Sequence, residues 1–240
     1  MIILLSGGSG RLGRELQGII GGIIAPSREE MDIGNPASIK VNIELYQPEL
    51  IVHAAAYTDV AKAETEKQEC WQTNVVGTRN MVKAARESGI AMVYISTDYV
   101  FYGDKGDYKE DDVLGPVRNY YSLSKLVAEE IVKTLDDYLI VRTSFRPREW
   151  AYEKAFYDLY TSQDYIDIIA PEVAKAIENY QGIDYRLLHI AAAKKSAYEL
   201  AKRRRPDVIR ASKNELELKL PEDISLNTDR WKALKVKYGF

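Results

Sequence analysis

The sequence is poor in the residues that mark several specialised protein classes. Cys70 is its only cysteine. No internal disulfide can form, which excludes a disulfide-stapled secreted scaffold and fits a reducing compartment. His53 and His189 are its only histidines, and they stand too far apart for a helical ligand pair. Zinc-hydrolase chemistry therefore lacks its usual motif, and no metal-ligand set is found. There is no basic excess either. A net charge of −3 over 240 residues removes the electrostatic footprint of a nucleic-acid binder. No apolar run approaches the ~20 residues needed to span a bilayer. Met1 is followed at once by Ile2-Ile3-Leu4-Leu5, without the basic start of a secretory signal. These absences predict a soluble cytoplasmic protein with no membrane partner. The one basic cluster, Lys202-Arg203-Arg204-Arg205, reads as a solvated helix end.

What is present is an alternation of short apolar runs with helix-period segments. Met1–Ser6, Gly22–Ala25, Leu50–His53, Ala91–Ser96 and Tyr138–Val141 read as strands. They are apolar throughout, as strands covered on both faces should be. Leu12–Ile20, Pro36–Tyr46, Glu64–Ser88 and Tyr121–Leu135 read as helices, the third long enough to be two. This order predicts an α/β fold, a doubly wound parallel sheet. After Arg142 the pattern changes. Ser144–Trp150 reads as a polar and aromatic loop, Glu172–Ile177 as part of a helix, Arg186–Ile190 as a strand, and Ala197–Arg204 as a helix stopped by Pro206. The expected division is a dinucleotide-binding domain at 1–143 and a short lobe at 144–240, parts of which return to the main domain.

Gly7, Gly10 and Gly13 follow the first strand and open the first helix. A dinucleotide diphosphate needs close backbone approach, and glycine permits it beside a helix N-terminus. The spacing is Gly-x-x-Gly-x-x-Gly rather than Gly-x-Gly-x-x-Gly, so the strand–helix context carries the reading. After the second strand the first polar residues are Ser27 and Arg28, with Glu29 and Glu30 later. A guanidinium there can clamp a 2′-phosphate. NADPH is favoured and NADH stays open. The bland alternative pairs Arg28 with Glu29 or Glu30.

Tyr121 and Lys125 are an i, i+4 pair and share one helix face, with Leu123, Val127 and Ile131 expected to anchor the other. A phenol with a pKa near 10 is mostly protonated at neutral pH, and a neighbouring ammonium should lower that value. Carbonyl reduction needs such a proton donor. Thr97 ends the Ala91–Ser96 run, at the sheet edge where ligands bind, and its hydroxyl can hold a substrate oxygen. Tyr-x-x-x-Lys alone is weak. The upstream glycine turn and Thr97 make the combination specific.

These residues resemble the extended short-chain dehydrogenase/reductase superfamily. His53-Ala54-Ala55-Ala56-Tyr57-Thr58-Asp59-Val60, Asn74-Val75-Val76-Gly77-Thr78, Ser96-Thr97-Asp98-Tyr99-Val100-Phe101, Val141-Arg142-Thr143-Ser144 and Met31-Asp32-Ile33 resemble the dTDP-4-dehydrorhamnose reductase family. The resemblance covers about the first 145 residues. It implies a Rossmann-type fold and NADPH-dependent reduction of the 4-keto group of a nucleotide-linked deoxy sugar. It implies that Asp98 assists Thr97, Tyr121 and Lys125, and that Lys125 also holds the cofactor. It further implies that Gly7, Gly10, Arg11, Leu12, Gly13, Asp32, Ile33, Ala54, Ala55 and Tyr57 line the cofactor, with Tyr99 and Trp150 facing the sugar. Some members dimerise, so a homodimer is the assembly to consider.

The chain departs from that family after Thr143, where Phe145-Arg146-Pro147-Arg148-Glu149-Trp150 stands. The departure implies an abbreviated or differently built substrate pocket. Two other readings use the same machinery. One is a sugar-nucleotide epimerase, for which Cys70, His53 and His189 are the available acid–base groups, each expected instead in the core. The other is a non-catalytic NAD(P)-binding subunit resembling the regulatory subunit of methionine adenosyltransferase.

Overall fold

The computed structural model describes residues 1–216 and 220–239. Its first strand, β1 (Ile3–Ser6), leads into α1 (Arg11–Ile19). The alternation continues through β2 (Ile23–Ile24), α2 (Pro36–Tyr46), β3 (Leu50–His53), α3 (Lys67–Trp71), α4 (Thr78–Ser88), β4 (Ala91–Thr97), α5 (Tyr120–Val132) and β5 (Tyr138–Thr143). Then come the short strands β6 (Phe145–Arg146), β7 (Lys154–Phe156), β8 (Tyr160–Thr161) and β9 (Asp164–Tyr165). The described chain continues with α6 (Ile166–Glu178), β10 (Leu187–Ile190), β11 (Lys195–Ser196), α7 (Ala197–Lys202), β12 (Ile209–Ala211) and α8 (Asp229–Tyr238).

Six strands form one parallel sheet in the order β10-β5-β4-β3-β1-β2. The chain winds outward in both directions from β1 and β3, so the fold is doubly wound. That reversal opens a crevice at the carboxyl ends of the strands. Side chains alternate across the sheet. Ile3, Leu5, Val52, Val93 and Val141 face one core with Leu16 of α1, Val173 of α6 and Trp231 of α8. Leu4, Ile51, Met92, Tyr94 and Ile140 face the other, with Ile39, Met81 and Ala128 from α2, α4 and α5. Both faces are dry, which explains the unbroken apolar runs. Full burial of a side chain such as Leu16 is worth roughly 1.5–3 kcal/mol.

Polar residues set the helix boundaries. Asn35 accepts from the Ala37 N–H at 3.0 Å and precedes Pro36, a good first helical residue. Asn119 accepts from the Ser122 N–H at 2.8 Å and starts α5. The expected Glu64–Ser88 helix is interrupted: α3 and α4 are joined by a π-helical stretch, Gln72–Gly77. Such bulges displace the ladder by one residue. Here the bulge carries the buried Asn74, whose amide exchanges hydrogen bonds with the Tyr57 backbone at 2.7 and 3.1 Å. The anchoring face of α5 also differs from expectation. Leu123 is exposed, while Tyr121, Lys125, Ala128 and Val132 are buried, so the reactive face is also the packed one.

Glu129 of α5 lies fully buried against Arg142 of β5, with Nε and Nη2 donating at 2.9 and 2.8 Å. Ser96 of β4 donates to the same carboxylate at 2.5 Å. Removing one partner of such a pair typically costs about 3–5 kcal/mol. Beyond β5, α6 packs on α1 and β10 extends the sheet. The pairs β6·β9, β7·β12 and β8·β11 form separate two-stranded sheets. Around them Trp150, Ala155, Tyr165, Leu200 and Val208 form a small separate core. No helix among the described residues is long and apolar enough to cross a membrane.

Candidate active site

A cleft of about 900 Å³ opens where β1, β3, β4 and β5 end. Its floor at one end is the glycine turn. Gly7 has φ +82°, and a Cβ there would lie 2.6 Å from the Ala55 nitrogen. A Cβ on Gly13 would lie 2.3 Å from the Gly7 carbonyl oxygen. Both positions therefore require glycine, the first for conformation and the second for helix–turn contact. Gly10 caps α1 without a side-chain hydrogen bond, leaving the helix start open to the cleft. Such a cradle suits the diphosphate of a dinucleotide. Gly7, Gly10, Arg11, Leu12, Gly13, Arg28, Asp32, Ile33, Ala54 and Ala55 all line the cleft. Arg28 is exposed and takes part in no ion pair among the described residues, while Glu30 accepts instead from the Ser27 N–H at 2.7 Å.

At the other end Thr97, Tyr99, Tyr121 and Lys125 line the same cleft. Thr97 ends β4; its hydroxyl donates to Asp98 at 3.1 Å and accepts from the Tyr99 N–H at 3.2 Å. Lys125 is 2 % exposed. Its Nζ donates to the Tyr94 hydroxyl at 2.5 Å and to the Ile95 carbonyl at 2.9 Å. Burial lowers its pKa to about 7, against the opposing charge of Glu129. Tyr99 stands edge-on to Tyr121, ring centroids 6.0 Å apart.

Three expectations need correction, and the place of Asp98 needs describing. Lys125 does not acidify Tyr121: burial raises the phenol's pKa, the Thr97 hydroxyl counters it and Asp98 adds to it. The ammonium is instead turned toward Tyr94. Tyr57 does not line the cleft. Its ring packs with Tyr121 and Cys70, and its hydroxyl donates to Glu66. Trp150 does not face the cleft either; it is buried in the lobe core beneath the Arg146 guanidinium, whose carbon lies 4.6 Å from the ring centroid. Asp98 is sealed beneath the cleft wall, where burial raises its pKa to about 6 against hydrogen bonding from Ser144 and Thr97. Its contact to the reactive end runs through Thr97.

The three epimerase candidates lie in the core. His53 bonds Ser6 at 2.6 Å and Thr78 at 3.0 Å, and His189 bonds the Asn227 carbonyl at 3.1 Å. Burial depresses both imidazoles to about 3. Cys70 rests 3.4 Å from the Ser124 hydroxyl. Sequence reasoning missed Tyr94, although a phenol inside the buried run Met92-Val93-Tyr94-Ile95 was a signal. It also missed Gln163, which lines the cleft and donates to Ser144 at 2.7 Å. Nothing local in sequence pairs those two.

Residues 1–174 match the family model described as the RmlD substrate binding domain. The chain belongs to that family. The dTDP-4-dehydrorhamnose reductase of Aggregatibacter actinomycetemcomitans is 33% identical over 180 residues, 71% of this chain and 61% of that one. The dTDP-4-keto-6-deoxy-D-glucose reductase of Streptomyces niveus is 34% identical over 149 residues, 59% of this chain and 51% of that one. The chain thus spans roughly half to three fifths of the length of these curated relatives. Among solved structures, the dTDP-4-dehydrorhamnose reductase of Bacillus anthracis in complex with NADP superposes with a TM-score of 0.86 at 26% identity, covering 98% of this chain and 93% of that one. A hypothetical dTDP-4-dehydrorhamnose reductase from Sulfolobus tokodaii gives 0.81 at 30% identity, covering 98% and 94%. In both of these structures the likeness of shape extends beyond the residues that the family model matches.

Proposed function

We propose that the protein reduces the 4-keto group of a nucleotide-linked deoxy sugar with NADPH. The observation that carries this reading is the convergence of Thr97, Tyr121 and Lys125 on the cleft whose other end is the Gly7–Gly13 cradle. Gly7, Gly10 and Gly13 would hold the diphosphate, Arg28 a 2′-phosphate, and Lys125 the nicotinamide ribose. The bound dinucleotide supplies the hydride.

Tyr121 gives its proton to the carbonyl oxygen. A phenol whose pKa is raised by burial stays protonated at neutral pH, as an acid for reduction must. Thr97 presents its hydroxyl to the same oxygen, and Asp98 orients that hydroxyl from behind. Lys125 lines the same cleft beside them. Two of its protons are engaged by Tyr94 and Ile95, which leaves the third for the cleft. The burial of His53, His189 and Cys70 away from the cleft supports simple reduction over epimerisation. The assembled Thr97–Tyr121–Lys125 group supports turnover over binding alone. Residues 1–143 serve the cofactor and 144–240 the sugar nucleotide in this reading, and a cytoplasmic setting goes with it.

The test is NADPH oxidation with a panel of nucleotide-linked 4-keto sugars. Turnover with at least one is expected, with NADH slower. Arg28→Ala should weaken NADPH roughly 10- to 100-fold, the worth of a charge-assisted hydrogen bond, and leave NADH unchanged. Binding of NADPH without turnover of any 4-keto sugar would reject the catalytic reading.

A further inference from the structure

Gln163 lies between β8 and β9 and lines the cleft. Its backbone is pinned on both sides. The N–H donates to the Thr161 hydroxyl at 3.0 Å, and the carbonyl accepts from the buried Lys195 ammonium at 2.7 Å. The side chain is pinned as well, with Nε2 donating to the Ser144 hydroxyl at 2.7 Å. The other half of the carboxamide is free. Oε1 has no hydrogen-bond partner among the described residues, and it is not one of the polar atoms shut from solvent. An amide held by its nitrogen on the cleft wall offers one acceptor in a fixed place.

The sheet order locates that acceptor. The glycine turn follows β1, Thr97 ends β4 and Thr143 ends β5, with Thr97 and Thr143 in register. Ser144 comes next in the chain, and Phe145 pairs with Asp164, which brings Gln163 alongside Ser144. Gln163 therefore stands on the far side of Thr97 from the glycine turn, past it by at least one strand spacing of about 4.8 Å. The cofactor's diphosphate belongs at the turn and its nicotinamide ribose at Lys125. The far side of Thr97 is left for the second ligand.

The neighbours of Gln163 narrow the kind of donor it can meet. At the same strand end the Thr143 hydroxyl is shut from solvent. The Ser144 hydroxyl accepts from Gln163 and turns its own proton to the buried Asp98 carboxyl. Phe145, which also lines the cleft, is apolar. The side chains here thus offer an acceptor beside an aromatic ring and no free donor. A carboxamide such as that of nicotinamide wants an acceptor and a donor together. A ring hydroxyl is satisfied by the acceptor alone, and the carbons that carry it need apolar cover. The reacting carbonyl of a 4-keto-6-deoxy sugar has two ring neighbours. One carries a methyl group and the other a hydroxyl, and only the second can use Gln163.

We propose that Gln163 Oε1 accepts a hydrogen bond from the sugar hydroxyl next to the reacting carbonyl, and so selects the substrates that carry it. This rests on the reading of the cleft as a nucleotide-sugar reductase and adds the residue that tells one 4-keto sugar from another. Thr97 and Tyr121 hold the carbonyl oxygen and Gln163 its neighbour. A ring fixed at two adjacent oxygens cannot pivot about the carbonyl while hydride arrives.

The test compares kcat/KM for a nucleotide-linked 4-keto-6-deoxy sugar with that for its 3-deoxy counterpart. The unaltered protein should favour the hydroxylated sugar roughly tenfold, the worth of one neutral hydrogen bond. Gln163→Leu should lose that preference by slowing the hydroxylated sugar alone, with NADPH affinity unchanged by fluorescence titration. Ser144→Ala frees the amide to turn and should lose part of the preference. Equal use of both sugars by the unaltered protein overturns the proposal, whether or not any variant folds. So does a Gln163→Leu protein that keeps the preference. A variant that slows both sugars alike and binds NADPH more weakly overturns it too, and gives Oε1 to the nicotinamide amide. In each of these outcomes 4-keto sugars are still reduced, and the reductase reading stands without Gln163. If the unaltered protein reduces none, both fall.

Discussion

At the glycine end of the cleft the surroundings of a ligand are backbone; at the lobe end they are side chains borne on segments remote in sequence. Gly7 and Gly13 face Ala55 and each other's turn at distances that exclude a Cβ. Tyr99, Ser144 and Gln163 come instead from three stretches, the last two brought together where β6 pairs with β9. A backbone cradle tolerates almost no substitution and works for any ligand with the same phosphate geometry. A side-chain wall can be rebuilt residue by residue. The contrast explains why identity to the curated relatives is confined to part of the chain, while the fold match to solved structures runs nearly end to end.

Three experiments probe this contrast. Between the two ends lies the chemistry, and Tyr121→Phe should have the largest effect: a loss of roughly 10²–10⁴-fold in kcat, the usual worth of a positioned acid, with NADPH affinity unaltered by fluorescence titration. Residual activity within a few-fold of the original would remove Tyr121 from the proton step. Gly13→Ala comes next. Overpacking of about 1–3 kcal/mol predicts roughly 10- to 100-fold weaker NADPH, and the sugar nucleotide should bind as before. An equal loss for both ligands would mean that the ends are mechanically coupled and the contrast is false. The smallest effect is in pH. Lys125 is held down to about 7, so its ammonium is present below that pH and lost above it. Since kcat/KM reports the free enzyme, it should decline as pH rises through 7. Lys125→Met should abolish that limb, and a limb that persists in the variant belongs to another group.

The same contrast governs what could be read without coordinates. The sheet, its winding and the glycine turn were legible because they rest on local rules: apolar runs, helix period and the steric demand for glycine. Thr97, Tyr121 and Lys125 were legible because strand end and helix spacing are local too. Tyr57 and Trp150 were misplaced because a motif or composition does not fix where a ring points; each packs into a small aromatic cluster assembled from distant segments. The rotated anchoring face of α5 has a similar cause, since Glu129 and Arg142 meet across the core and pull the polar side of the helix inward.

That buried carboxylate–guanidinium clasp also fixes how the helix of the reactive phenol sits on the sheet. Ser96 and Arg142 grip Glu129 one helical turn from Lys125, so the helix that carries Tyr121 is bolted to β4 and β5. Sliding it would unseat a charge pair in a dry interior. The parallel pairs β6·β9 and β7·β12 around Trp150 lie outside this clasp and share a miniature core of their own.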